Sequence, residues 1–197
     1  MHWTHERGGD YRDAMFDLDR FIADCRAALA RGHPAGAVRE LTERAVTVPG
    51  EIEAALGSPR LGGLFTLHHA PDLTVLNVVW APGMAIYPHE HRMWAVIGLY
   101  GGREDNTFYR RGERGLAIVG GKQLERSETA LLGEAAIHSV VNPLQGFTAA
   151  IHVYGGDFFG KPRSEWTPDT LEERPFDVER ARRAYASANE RANMGKA

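Results

Sequence analysis

Apolar and polar positions follow two different rhythms along this chain. In the first sixty residues apolar side chains return every three or four positions. Met15, Leu18, Phe21, Ile22, Cys25 and Leu29 form one stripe, which predicts an amphipathic helix over residues 11–30. Gly32 ends it, and Pro34 opens a second helix as a first-turn proline, with Val38, Leu41 and Val46 on its apolar side and an end before Pro49. A short third helix fits residues 51–56 and is broken by the Gly-Ser-Pro that follows. Past Leu61 the rhythm shortens. Glycine and proline recur at short intervals, and β-branched and aromatic residues fill the gaps. Strands are predicted at residues 64–68, 73–80, 93–100, 106–110, 116–119, 122–126, 135–141 and 147–153, with turns at 70–72, 82–83, 101–102, 112, 120–121, 133 and 142–143. Strands without intervening helices argue for an antiparallel sandwich or barrel, whose interior or mouth holds one ligand. From residue 160, Pro162, Pro168 and Pro175 keep the chain extended. A charged helix over 178–192 then turns Val178, Ala181, Tyr185 and Ala188 toward the barrel and Arg180, Arg182 and Arg183 toward solvent. The expected organisation is a helical extension over 1–58, a barrel over 59–160, and an extended segment with a closing helix over 161–197.

Composition narrows the class. The 197 residues are 43% hydrophobic and 25% charged, values of an ordinary globular domain with one sizeable core. A net charge of −3 offers no basic footprint for nucleic acid. No apolar run reaches the length of a membrane span, and the first residues carry no apolar stretch of the secretory kind. The single cysteine, Cys25, excludes an intramolecular disulfide and a cysteine-rich zinc site, and its place on the helical stripe predicts burial. A reduced, cytoplasmic compartment is the expectation, with no nucleic-acid or membrane partner and a homodimer as one arrangement.

Nine histidines are many for this length. His89 and His91 stand one residue apart after the predicted strand 73–80, so on extended backbone they project to one face. Two imidazoles on one face, with a third donor from another strand, make a metal site with open positions. A bare His-x-His also fits ordinary polar residues at a strand end. His138 lies in an apolar strand pattern, where a lone histidine is more often a satisfied core residue. His152 and Tyr154 share a face by the period of two. Arg92 and Trp94 follow the His-x-His closely enough to line the mouth of such a site, and Arg92 is the local candidate for gripping a carboxylate. Arg103, Glu104, Asp105 and Asn106 read as a structural charged cluster facing Arg110 and Arg111. His33, His68 and His69 read as boundary and surface residues, and His2 and His5 as part of a polar tail.

These residues together resemble a cupin, and among cupins the cysteine dioxygenase type of thiol dioxygenase. The first cupin motif, a glycine, five residues and then His-x-His, is matched by Gly83, His89 and His91. The second, which ends in His, three residues and Asn, is matched by His138 and Asn142. The resemblance spans about residues 60–160. It implies a double-stranded β-helix, a jelly-roll barrel, in which His89, His91 and His138 bind a divalent metal, Fe(II) first and Zn, Ni or Mn as alternatives. It also implies that His152 and Tyr154 form a relay beside the metal. The family's relay begins with a serine, and here that place is Ala150. Most cupins add a glutamate shortly after the His-x-His; here the residues are Arg92-Met-Trp94-Ala-Val96, which agrees with a three-histidine site. The family's carboxylate-binding arginine precedes the His-x-His, and Arg60 is the arginine of that region.

Two functions follow as expectations. One is an Fe(II)-dependent dioxygenase that uses O2 to oxidise a small thiol or related small acid, with Tyr154 and His152 catalytic and Arg92, Trp94 and Arg60 binding substrate. The other is a non-oxidative metal cupin: an isomerase, a lyase or a small-molecule binding module. A barrel without metal would need three inward histidines satisfied by other partners.

Overall fold

Two antiparallel sheets face each other and enclose a narrow interior that opens at one end. The structure, a computed structural model, describes residues 15–194 with the exception of Arg114. His2, His5 and the predicted helical positions 11–14 lie outside the described residues. The first sheet has the strand order β1 (Gly63–His69), β2 (Thr74–Trp80), β9 (Thr148–Tyr154), β4 (Ala95–Gly101) and β7 (Thr129–Leu132). The second runs β11 (Glu173–Pro175), β10 (Ser164–Trp166), β3 (Ala85–Glu90), β8 (Ile137–Val141), β5 (Arg103–Gly112) and β6 (Gly115–Glu125). Two facing antiparallel sheets of this order make the double-stranded β-helix, the jelly-roll barrel expected from the sequence, with helices before and after it.

The first sheet is covered on both faces. From β2, Leu76, Val78 and Trp80 enter the barrel, while Val75 and Val79 enter an outer core with Phe21, Cys25, Val38, Val46 and Ile52 of the N-terminal helices. Those helices are α1 (Leu18–Ala28), α2 (Pro34–Val46) and α3 (Pro49–Leu56). Every residue of β2 and β9 is therefore buried, which is why both read as nearly continuous apolar runs, interrupted by Asn77 and His152, rather than as alternating ones. Gly98 allows the close fit of α2 on β4, since a Cβ there would lie 2.4 Å from Thr42 Cγ2. The first helix begins at Leu18, later than its apolar period suggests, because the Asp17 side chain accepts from the Arg20 amide and caps it. The closing helix α4 (Val178–Met194) buries Ala181, Tyr185 and Ala188 and lays Tyr185 against Trp80, ring centroids 5.4 Å apart.

Several elements differ from expectation. The predicted strands 116–119 and 122–126 are one strand, β6, which ends at Glu125, with Gly120 and Gly121 inside it opposite Phe108 and Thr107. The β5–β6 hairpin is largely solvated along β6, so two glycines cost it little packing and do not turn it. Strand β3 carries the first histidine and pairs with β8. The segment after residue 160 is not merely extended: β10 and β11 add to the second sheet, with Glu165 opposite His89. The residues 103–106 are not one cluster. Arg103 pairs with its neighbour Asp105 at 2.6 Å, whereas Glu104 and Asn106 are buried in the interior, and Arg111 reaches Glu90 and Glu173 instead. No helix among the described residues is long and apolar enough to cross a membrane.

Candidate metal centre

His89 is the last residue but one of β3 and stands directly opposite His138 on β8, which in turn faces Phe108 on β5. His91 follows two residues later. Gly83 opens the approach with φ +63°, a conformation that glycine adopts without strain. The three imidazoles converge, with one ligand atom from each lying within 4.8 Å of the others. Ring centroids are 5.0 Å (His89–His91), 4.7 Å (His89–His138) and 5.1 Å (His91–His138) apart. Two protons are assigned by hydrogen bonds. Nδ1 of His89 donates to the Tyr87 carbonyl at 3.0 Å, and Nδ1 of His138 donates to Asn106 Oδ1 at 2.9 Å. Both Nε2 lone pairs are thereby left free, and second partners of this kind are what orient metal-ligating histidines. The buried Nδ1 of His91 and Nε2 of His138 have no partner among the described residues.

Electrostatics keep this group neutral. Burial lowers the His89 pKa from 6.5 to about 4, against a smaller opposing pull from the Tyr87 carbonyl. Burial first, and the neighbouring imidazoles second, hold His91 and His138 well below the usual value. Three unprotonated imidazoles with orphaned, converging lone pairs fit a divalent metal ion. No carboxylate among the described residues joins them: Glu90, between the two histidines of the motif, is buried but turned to Arg92 Nε (2.6 Å), Arg111 Nη1 (2.9 Å) and the Ser164 amide (3.2 Å).

The opposite wall comes from the first sheet. His152 and Tyr154 line the same cavity as the three histidines, with Val78 and Trp80. Tyr154 Oη and His152 Nδ1 are 2.9 Å apart, and the Tyr154 ring lies 5.1 Å from that of His91. Burial raises the phenol pKa, and the nearby Arg163 opposes it. Behind His152 is Glu104, completely buried, 3.6 Å from Nε2 and accepting from Trp80 Nε1 at 2.6 Å. Phe158, Phe176, Ala181 and Tyr185 close the mouth.

The substrate-binding residues expected from sequence lie elsewhere. Arg92, at φ +54°, turns outward onto Glu90 and borders a shallow surface hollow with Arg111 and Glu134. Trp94 packs in the outer core under the N-terminal helices. Arg60 is exposed beside Phe65 and Leu67 on the far side of the first sheet. The cation near the cavity is one that sequence reading passed over. Arg163 is 5% exposed, and its guanidinium carbon sits 4.4 Å from the Phe158 ring centre and 3.8 Å from that of Phe176. Nη1 donates to the carbonyls of Phe158 and Lys161, while buried Nε and Nη2 have no partner among the described residues. Burial lowers its pKa to about 10. Only the adjacent proline marked this position in the sequence, and nothing there signals burial. Asn106 and Glu104 were legible in principle, since with Phe108 they alternate on one face of β5.

Asn142, the last residue of the second motif, is not at the histidines. Its amide donates to the carbonyls of Trp80, Ala81 and Gly146 and accepts from the Leu144 amide and the Thr148 hydroxyl. It ties the β8–β9 turn to the end of β2, and so sets the strand carrying His138 against the strand carrying His152.

No family model matches this chain. Among solved structures, a cupin superfamily protein from Desulfitobacterium hafniense is 14% identical over 53% of this chain and 87% of its own, with a TM-score of 0.42. An oxalate oxidase in complex with the substrate analogue glycolate is 14% identical over 51% of this chain and 53% of its own, TM-score 0.41. KdgF from Halomonas sp. is 17% identical over 47% and 76%, TM-score 0.38. This chain thus spans about half the length of the oxalate oxidase, and each likeness takes in about half of this chain.

Proposed function

We propose that this protein is an Fe(II)-dependent dioxygenase that uses O2 to oxidise a small thiol carrying an anionic group. The observation that carries the reading is the donor set: three neutral, converging imidazoles without a carboxylate among them. Bound by His89, His91 and His138, iron(II) would supply an unneutralised dipositive centre and the redox chemistry that joins a thiolate to O2, giving a sulfinate that holds both oxygen atoms. The side chains around it do the rest. Val78, Ile86, Val140, Phe158 and Phe176 line the cavity with apolar surface and exclude bulk water. Arg163 supplies a buried positive charge with two unused donors, which favours a carboxylate or similar anion beside the site. His152 and Tyr154 form a hydrogen-bonded pair against His91. The protein's partners in this reading are the small-molecule substrate and O2.

The test is O2 uptake by protein loaded anaerobically with iron(II), against a panel of small thiol acids and matched thiols without the acid. Uptake with a thiol acid, one O2 per thiol consumed and a sulfinate product, is the expected result. No uptake with any thiol refutes the reaction. Ala150, in place of the serine of the family's relay, favours the second reading, a non-oxidative metal cupin with zinc, nickel or manganese in the same pocket. In that case binding of a small acid without O2 consumption is the expected outcome.

A further inference from the structure

Glu104 is a carboxyl group with 0% exposure and no lysine or arginine of the described residues paired with it. Its Oε1 faces two nitrogens. The indole Nε1 of Trp80 donates to it at 2.6 Å, and His152 Nε2 stands 3.6 Å away, beyond hydrogen-bond length but close enough for the carboxyl oxygen to act on it electrostatically. His152 Nε2 has no other partner among the described residues, and neither has Glu104 Oε2. A neutral imidazole carries one proton on either ring nitrogen, and its neighbours choose which. Placing a bare Nε2 lone pair against a carboxyl oxygen in this dry interior sets two acceptors against each other, whereas an N–H there is attracted. The proton therefore belongs on Nε2, and Nδ1 is left as an acceptor. Among the described residues only the Tyr154 hydroxyl, at 2.9 Å, is placed to donate to it.

We propose that Glu104 is a positioning residue: through His152 it commits the Tyr154 hydroxyl proton away from the cavity, so that the phenol oxygen meets a bound ligand as a hydrogen-bond acceptor. The ligand then places an N–H, O–H or S–H group at Tyr154, and its anionic group elsewhere. The inference rests on the proposed cavity being the ligand site, but not on which metal or reaction it hosts. Glu104 fills, from a different strand and by a different chemistry, the orienting place that Ala150 leaves empty of a hydroxyl.

The test reads the proton directly and in the absence of metal, so that its failure is separate from failure of the dioxygenase reading. Metal-free full-length protein with 15N-labelled histidine is measured by long-range proton–nitrogen correlation, with His152 assigned through His152→Gln. The expected spectrum shows a protonated Nε2 and a bare Nδ1 coupled to a slowly exchanging tyrosine hydroxyl proton. Glu104→Gln keeps that form, since its amide oxygen still accepts. Glu104→Leu gives a mixture of tautomers and loses the protected hydroxyl proton. Trp80→Phe, which removes the indole donor and leaves the carboxyl, keeps the wild-type form and separates orientation of His152 from mere satisfaction of Trp80. A wild-type His152 protonated on Nδ1 overturns the proposal whether or not the variants fold. So does a folded Glu104→Leu protein with an unchanged tautomer, or a Trp80→Phe protein that loses it.

Discussion

Replacing Arg163 with methionine separates a binding cation from a structural one. Burial pulls the pKa of this guanidinium from 12.5 to about 10. At about 1.4 kcal/mol per pKa unit, holding the charge costs the fold about 3 kcal/mol. Against that stand two hydrogen bonds from Nη1, to the Phe158 carbonyl at 2.5 Å and the Lys161 carbonyl at 3.1 Å. At about 1.5 kcal/mol each for a charged donor, they recover a similar amount. Part of the contact with the Phe158 and Phe176 rings survives, because a methionine sulfur packs well on aromatic faces. Urea unfolding of the metal-free variant should therefore differ from wild type by no more than about 1 kcal/mol, although a residue this buried ordinarily costs several. The loss appears in binding. A charge-assisted contact to a carboxylate is worth about 1.5–3 kcal/mol, so KM for a thiol acid should rise roughly 10- to 150-fold, with far less change for the matched thiol without the acid. Destabilisation beyond about 3 kcal/mol with an unchanged KM would refute the reasoning and make Arg163 a structural residue.

Asn106→Ala removes the acceptor that directs His138 Nδ1 and should weaken metal affinity about 10- to 100-fold in a competitive chelator titration, with Asn106→Asp retaining most of it. Asn142→Ala deletes five hydrogen bonds of a fully buried side chain and should cost about 3–5 kcal/mol in urea unfolding, with metal affinity preserved in the fraction that folds. In the metal-free protein the histidines are held unprotonated below their ordinary pKa of 6.5, so from about pH 6.5 downward the unfolded chain takes up protons that the native state refuses, and stability falls. His89, at about 4, alone accounts for roughly 3 kcal/mol lost between pH 6.5 and 4; a urea midpoint flat over pH 7 to 5 would contradict this.

What the sequence made legible was whatever local spacing decides. The helical stripe through Phe21 and Cys25, the buried runs of β2 and β9, and the histidines at 89, 91 and 138 all announce themselves within a few residues of chain. What it hid was decided by pairing across long distances. Strand β10 exists because it adds to β3, and β11 because it adds to β10, and a proline-punctuated segment carries no period for such short strands. Arg163 is buried because Phe158 and Phe176 close on it, and neither ring signals that contact in the sequence. Glu104 reads in the sequence as one member of a structural charged cluster. Its inward direction follows from the register of β5, which the adjacent charges of Arg103 and Asp105 mask. Arg92 was legible as a charge but not as a direction: its left-handed backbone turns it outward onto Glu90.

The claim on which the rest depends is that His89, His91 and His138 hold one divalent metal. Metal-free protein titrated with iron(II) under anaerobic conditions, and separately with zinc, reads it directly. Saturation at one ion per chain in the wild type, abolished in His138→Ala while the variant retains the wild-type circular dichroism spectrum, is the predicted result. Undiminished binding by folded His138→Ala, or no binding by the wild type, would contradict it.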